Sequence, residues 1–435
     1  MKSLRRNSIA KFVQKEYTRR HNPAIFVPGK SVIPVTGKIF GIPEILAAVE
    51  SSLNFWLTAG PETEKFERKL AAFLEIKHAL MVNSGSSANL VAISTLTSSK
   101  LGLDRLRPGD EVITVATGFP TTVAPIIQNS LVPVYIDVDL GTYVANETQL
   151  VEAISKKTRA IMMAHTLGNP FNLDLVNKLA KEHDLWVIED ACDALGGTFR
   201  GKNLGTFGDL ATLSFYPAHH ITTGEGGAVL FGSSRLKPIL ESFRDWGRDC
   251  WCASGCDNTC FKRFEWQLGN LPHGYDHKYI YSHLGYNLKS GDIQAAIGLA
   301  QLERLPSFIE NRRKNWEYLY ENLRDLEDIF ILPEATVESN PSWFGFALTI
   351  RDSTAHDRRH IVKYLDDSKI GTRLLFGGNL LRQPAFIDSQ GRVAGTLDNS
   401  DKVMKDTFWI GVWPGLTNQM LDYVSLKIHH AVGRQ

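Results

Sequence analysis

No apolar run in this chain approaches the ~20 residues that cross a bilayer as a helix, so a helical membrane span is excluded. Net charge is nearly absent as well: 48 Lys and Arg stand against 47 Asp and Glu, leaving +1. That rules out bulk attraction to nucleic acid or to a membrane surface. The first residues lack the apolar stretch and cleavage site of a secretory signal, which predicts a cytoplasmic protein. Internal repeats, low-complexity segments and coiled-coil heptads are missing. Cysteine is scarce, five in 435 residues. Four of the five crowd into Cys250–Cys260, and in a large intracellular enzyme that favours a metal site over a disulfide framework.

What is present is enough apolar material, 43% of residues, for two cores. Residues 1–35 read as a basic arm carrying Lys2, Arg5, Arg6, Lys11, Lys15, Arg19 and Arg20. Residues 36–325 alternate helical and strand-like runs. Strands are predicted at His78–Val82, Glu111–Val115, Val132–Val138, Arg159–Ala164, Leu185–Glu189, Leu210–Tyr216 and Ala228–Phe231. Alternation of this kind predicts an α/β fold with a mostly parallel sheet flanked by helices. The pattern breaks at 247–285, which is rich in Cys, Gly and aromatics; a long irregular stretch needs something to order it. A long amphipathic helix is predicted over Gln294–Leu323, and 326–435 read as a smaller α/β domain.

Four segments carry residues suited to chemistry. Gly85-Ser86-Ser87-Ala88 lies where a strand hands over to a helix. Backbone N–H groups and the positive helix end suit a phosphate there, although a serine-rich helix cap has the same sequence. Asp190 follows an apolar strand, and a carboxylate at the carboxyl end of a parallel strand lies near the ligand crevice. Glu189 faces the other way by alternation. The stretch Ser214-Phe215-Tyr216-Pro217-Ala218-His219-His220-Ile221-Thr222-Thr223-Gly224-Glu225-Gly226-Gly227 holds paired imidazoles and no lysine. An imidazole cannot tether an aldehyde as a Schiff base, but it can move a proton. Finally, Cys250-x-Cys252 is tight for zinc, which commonly uses C-x2–4-C pairs. A [2Fe–2S] centre takes four thiolates at irregular spacings. The local set is Cys250, Cys252, Cys256 and Cys260.

From Trp56-Leu57-Thr58 to Leu284-Gly285-Tyr286-Asn287 these motifs fall in an order that resembles the DegT/DnrJ/EryC1/StrS family of sugar aminotransferases. The resemblance implies the fold-type-I, aspartate aminotransferase-like architecture and a pyridoxal or pyridoxamine phosphate cofactor (PLP/PMP). Ser214–Gly227 is similar to the family's lysine segment, S-F-x-x-x-K-x-x-x-x-G-E-G-G, with His219 at the lysine position. That exchange, together with the Cys-rich insert, resembles one branch: the CDP-4-keto-6-deoxy-D-glucose 3-dehydrases of 3,6-dideoxyhexose and O-antigen biosynthesis. The resemblance implies that Gly85, Ser86, Ser87 and Ser214 hold the cofactor phosphate, and that Phe119 stacks on the pyridine ring. It implies further that Asp190 pairs with the ring nitrogen and that His219 is the catalytic base, with His220 structural. By the same resemblance Asp193 occupies the place where many members have a His or Gln near the cofactor oxygen, and departs from them in residue type. Asn287 matches an asparagine that reaches the phosphate of a neighbouring subunit, which implies a homodimer. The branch pattern C-x57-C-x-C-x7-C fits Cys192, Cys250, Cys252 and Cys260 as [2Fe–2S] ligands, with Cys256 spare. The implied reaction removes the C3 hydroxyl of a nucleotide-linked 4-keto-6-deoxyhexose, with electrons from an NADH-dependent flavin/iron–sulfur reductase.

Three other readings stand beside this one. An ordinary aminotransferase requires a lysine that the segment lacks. A cluster-free GDP-4-keto-6-deoxymannose 3-dehydratase shares the histidine but not the crowded cysteines. A non-catalytic relative with structural zinc accounts for the cysteines alone. Arg373 and Lys289 are candidates for a substrate pyrophosphate, and also for ordinary surface ion pairs.

Overall fold

Short apolar strands and the turns that end them set up the molecule. The computed structural model describes residues 2–21, 25–252, 255–389 and 391–434, with side chains from residue 8 onward. Seven strands build the main sheet: β1 His78–Val82, β2 Glu111–Val115, β3 Val132–Ile136, β4 Thr158–Ala164, β5 Trp186–Asp190, β6 Leu210–Ser214 and β7 Gly227–Phe231. Their order is β1-β7-β6-β5-β4-β2-β3, with the two-residue strand Arg392–Val393 beside β3. Only β7 runs against its neighbours. Residues of alternating parity enter two separate cores: Ile113, Val187 and Leu213 on one face, Val112, Ile188 and Leu210 on the other. Both faces are therefore covered, which is why the strands read as near-continuous apolar runs.

The parallel strands all end at one edge. There the chain turns at Asn83–Ser84 after β1, Ala116–Phe119 after β2, His165 after β4, Ala191 after β5 and Phe215 after β6. This is the edge at which open α/β sheets place ligands.

A second core surrounds the antiparallel strands Phe330–Ile331, Gly345–Ile350 and Thr407–Gly411. Several segments cross between the two cores. Leu319 and Leu323 pack in the second core although they precede residue 326. Arg392 rejoins the main sheet and pairs with Glu111 at 2.8 Å. In the N-terminal arm, Lys2–Arg20 is a helix whose Tyr17 hydroxyl donates to the Phe40 carbonyl. Residues 22–24 lie outside the described residues, and beyond them Ile33 bridges to Ile370. The arm is therefore docked rather than free.

The single helix expected over Gln294–Leu323 is two, Asp292–Leu302 and Leu305–Leu323. Pro306 explains the break: it lacks an N–H and its ring opposes the carbonyl four residues back, at Leu302. The segment 247–285 is irregular as expected, apart from a single 3-10 turn at His277–Tyr279 among its described residues. Its neck is closed by Ser282 N–H to the Gly247 carbonyl at 2.9 Å and Asp249 N–H to the Ile280 carbonyl at 2.8 Å. Gly247 has φ +81°, and a Cβ there would lie 1.9 Å from the His283 carbonyl oxygen. No helix among the described residues is long and apolar enough to cross a membrane.

Candidate active site

A cavity of about 810 Å³ opens at the carboxyl edge of the sheet. Gly85, Ser86, Phe119, Asp190, Asp193, Ser214 and His219 all line it. Residues that sequence places up to 134 positions apart (219 − 85) thus meet in one site. Among the described residues, no lysine lines this cavity.

Ser84 caps the helix Gly85–Leu96 by accepting from Ser87 N–H at 3.0 Å. The cap frees the first turn at Gly85 and Ser86 to face the cavity. A Cβ on Gly85 would meet Ser214 Cβ at 2.6 Å and Cys192 Sγ at 3.0 Å, so glycine is required for this cradle. Ser87 departs from the expectation: its hydroxyl donates to Asn83 Oδ1 at 2.6 Å and it does not line the cavity. As the third residue after the cap it rotates back toward the strand end.

Asp190 is buried and fixed by three donors. Its Oδ2 accepts from Asn89 Nδ2 at 2.9 Å and from Thr122 Oγ1 at 2.6 Å, and its Oδ1 from Cys192 N–H at 3.2 Å. Thr212 Oγ1 in turn donates to Asn89 Oδ1 at 2.7 Å. Glu189 faces the opposite side as alternation predicts, and accepts from the backbone N–H of Gly205, Phe207 and Gly208. Burial opposes its charge, but the hydrogen bond and charge of His165 and these N–H groups hold its carboxyl below the usual range.

Phe119 is half-exposed at the mouth, edge-on to Phe376 with centroids 6.0 Å apart. His219 sits against Phe344, at 5.1 Å between centroids. Its Nδ1 is 3.3 Å from Asp193 Oδ1, an ion-pair distance without hydrogen-bond alignment. Nε2 is then the nitrogen left for proton transfer. Burial raises the Asp193 carboxyl, with His219 working against that rise. Behind the pair, the buried Arg312 donates to the His219 carbonyl at 3.3 Å. His220 turns away, with its Nε2 2.8 Å from the Ser342 carbonyl oxygen. Burial, then the charge of Arg312, keeps its ring neutral by pushing its pKa well below the ordinary value.

Sequence reasoning missed Asn89, Thr122, His165, Tyr216 and Arg312. Asn89 and Thr122 each lie three residues beyond an expected site residue, Ser86 and Phe119, which is one helical turn. That spacing was an available signal. Arg312 gave none, since an arginine in an amphipathic helix is usually solvated.

The expected metal ligands line two cavities. Cys192 lines the cofactor cavity, and burial together with the Asp190 charge drives its thiol pKa up. Cys250, Cys252 and Cys260 line a second, small cavity that shares no lining residue with the first. Asp190 directs the turn after β5, and Cys192 with it, into the first cavity. Cys256 is exposed and does not line the second cavity. Within that cavity Cys252 sheds its proton first. Burial opposes this, but bonds from Thr259, Cys250 and the Cys260 backbone lower it to about 7, while burial raises Cys250 to about 11. A readily formed thiolate is what a metal requires. Asn287 is exposed, outside the cofactor cavity, and accepts from Lys289 Nζ at 2.9 Å. Arg373 reaches the cavity wall from the C-terminal part of the chain.

A glycine cradle at a helix start, an anchored carboxylate opposite it and an aromatic at the mouth fit a phosphorylated pyridine cofactor. Three thiols in one pocket fit a thiophilic metal centre.

Residues 41–429 match the DegT/DnrJ/EryC1/StrS aminotransferase family. The chain is 56% identical over 428 residues to the lipopolysaccharide biosynthesis protein RfbH of Salmonella typhimurium, covering 98% of each. It is 54% identical over 420 residues to a dTDP-4-dehydro-2,6-dideoxy-D-glucose 3-dehydratase of Saccharopolyspora spinosa, covering 97% of this chain and 91% of that one. Among solved structures, E. coli GDP-4-keto-6-deoxy-D-mannose-3-dehydratase with bound hydrated PLP is similar at TM-score 0.82 and 29% identity. That match covers 91% of this chain and 99% of the other.

Proposed function

The chain belongs to the DegT/DnrJ/EryC1/StrS aminotransferase family, and on that premise we propose that it is a PMP-dependent 3-dehydratase of a nucleotide-linked 4-keto-6-deoxyhexose. One observation carries this reading: His219, paired with Asp193, stands in a cavity that no lysine lines among the described residues. Such a site can move protons but has nothing with which to tether the cofactor.

When bound, the cofactor supplies an amine for the sugar ketone and a ring that accepts electron density. Gly85, Ser86 and Ser214 hold its phosphate, with the helix end favouring the negative charge. Asp190, locked by Asn89 and Thr122, takes the ring nitrogen. Phe119 covers the ring. His219 accepts a proton at Nε2, and Asp193 stabilises the imidazolium that results. Closing this site against water is the work of Phe344, Phe376 and Trp409, which wall it.

The finer assignments follow the branch resemblance. CDP is the proposed nucleotide, and the cysteine-rich segment is the proposed seat of a [2Fe–2S] centre fed by an NADH-dependent flavin/iron–sulfur reductase. Loss of the C3 hydroxyl without replacement consumes two electrons, which that partner supplies. The Salmonella relative's name supports a place in lipopolysaccharide biosynthesis. A homodimer is proposed in which the exposed Asn287 reaches the neighbouring site.

The test uses the full-length protein with PMP and CDP-, dTDP- and GDP-linked 4-keto-6-deoxyhexoses, with and without reductase. Mass spectrometry is expected to find a 3-deoxy product from the CDP sugar, formed only with the reductase. An amino group transferred to C4 with the C3 oxygen intact would overturn the reading.

A further inference from the structure

We propose that Arg312 is the positioning residue of the base: its guanidinium clamps the backbone of His219 to that of Trp343 and so fixes where the His219 ring stands in the cofactor cavity. The inference rests on the reading that His219 takes the proton, and it adds the group that aims it.

Arg312 comes from the helix Leu305–Leu323, 93 positions along the chain from the base. It is 1% exposed. Burial lowers its pKa to about 10, against the charge of Asp193, and leaves it a cation at neutral pH. A buried cation is costly unless its donors are met. Here both of its hydrogen bonds among the described residues go to backbone carbonyls: Nη1 donates to Trp343 at 3.1 Å and Nη2 to His219 at 3.3 Å.

Those two carbonyls bracket the base. His219 N–H donates to the Tyr216 carbonyl at 2.9 Å, so with Arg312 on its own carbonyl the residue is tied through both peptide groups. Its ring rests on Phe344, at 5.1 Å between centroids, and Phe344 directly follows the second clamped carbonyl. Phe344 N–H is held in turn by the Leu167 carbonyl at 2.8 Å, and the guanidinium carbon of Arg312 lies 5.8 Å from the Phe344 ring centre. One planar fork thus sets the register between the turn that carries the base and the segment on which the base rests. His220 repeats that register one residue along, with Nε2 at the Ser342 carbonyl.

An arginine with a purely structural role would tie the helix to a nearby loop, and the adjacent Arg313 does so. It donates to the carbonyls of Pro341, Gly196 and Asn340 at 3.0, 3.2 and 2.9 Å, and none of these residues lines the cavity. Lysine in place of Arg312 keeps the charge but has no rigid fork to span two carbonyls.

The test uses full-length protein, the CDP-linked 4-keto-6-deoxyhexose, and PMP deuterated at one or the other hydrogen of its aminomethyl carbon. In the step read, a C–H bond of that carbon breaks, the proton goes to His219 Nε2 and the electron pair stays with the cofactor ring system. The wild-type protein is expected to remove one hydrogen selectively. Arg312→Lys is expected to bind PMP with unchanged affinity in equilibrium dialysis and to keep KM. Its kcat is expected to fall about 10²-fold, as a misplacement of roughly 1 Å can cause, with selectivity between the two hydrogens reduced. Arg312→Gln, which can reach one carbonyl but not both, is read in the same way. Arg313→Lys is expected to lower the urea midpoint while kcat and selectivity stay at the wild-type level. Wild-type kcat and selectivity in Arg312→Lys would overturn the clamp, whatever its urea midpoint. Equal losses of kcat in the Arg312 and Arg313 variants would also overturn it, because the effect would then belong to the helix as a whole. Wild-type protein that removes neither hydrogen would overturn the base assignment itself, and the clamp with it.

Discussion

In the proposed reaction His219 and Asp193 work as a unit, because a base is useful only when its second nitrogen is held. His219→Asn is expected to lower kcat/KM for C3 deoxygenation by roughly 10²–10⁴, the usual share of a general base. His219→Lys is expected to lose dehydration and gain measurable amino transfer, read as product composition. Asp193 must be ionised to steady His219, and burial raises its carboxyl above the ordinary aspartate value. Activity should therefore fall on acidification at a higher pH than an ordinary aspartate would give. Asp193→Asn should lower the rate at every pH, because the imidazolium loses its stabilising charge, and a pH–kcat/KM profile would reveal it. At this scale His219, Asp190, Phe119, Ser214 and Gly85 were legible because each belongs to a local motif. Arg312 was not, and Asn89 was legible only as a residue one turn beyond Ser86, not as a partner of Asp190. Asn89 contacts Asp190 across 101 positions, and Arg312 contacts the His219 carbonyl across 93. No short window contains both partners of either pair.

Elements hold the site through their ends. The helix Pro61–Phe73 has Gly60 at its cap and no side-chain cap of its own. Asp292, at the start of another helix, supplies one: its carboxylate accepts from the N–H groups of Gly60, Glu62 and Thr63 and from the Thr63 hydroxyl. Asp292→Ala strands the buried Thr63 donors and the half-buried Gly60 and Glu62 N–H groups, and is expected to cost about 2–3 kcal/mol, the usual value for bonds to a charged group. Urea unfolding should show the lower midpoint at unchanged slope. The main strands were legible because both of their faces are buried. The break after Leu302 was not, since Pro306 is tolerated in the first turn of a helix and the apolar pattern runs on through it. The cysteine-rich segment was legible as an interruption. Its fold was not, because its contacts are backbone closures at the neck and aromatic packing around His277, which leave no periodic trace.

For the molecule as a whole, two cavities share one chain, and neutral histidines help to hold both. His220 lies under the first. His283 bridges Ser98 and Ser242 at the neck of the second, with oxygens at 2.6 and 2.8 Å. Burial, with help from the Lys100 charge, lowers His283 to about 4. Both rings resist protonation when folded but accept it when unfolded at the ordinary value near 6.5. Stability is therefore complete above pH 6.5 and is lost as pH falls toward 4. His283→Asn should flatten part of that loss in urea titrations run across this range. In the proposed enzyme the cofactor is held without a covalent tether. Borohydride reduction of the PLP-loaded full-length protein, followed by peptide mass mapping, tests it most directly. The expected result is no pyridoxyl-lysine on any peptide, with the cofactor released on gel filtration. A stoichiometric pyridoxyl adduct on a lysine would contradict it.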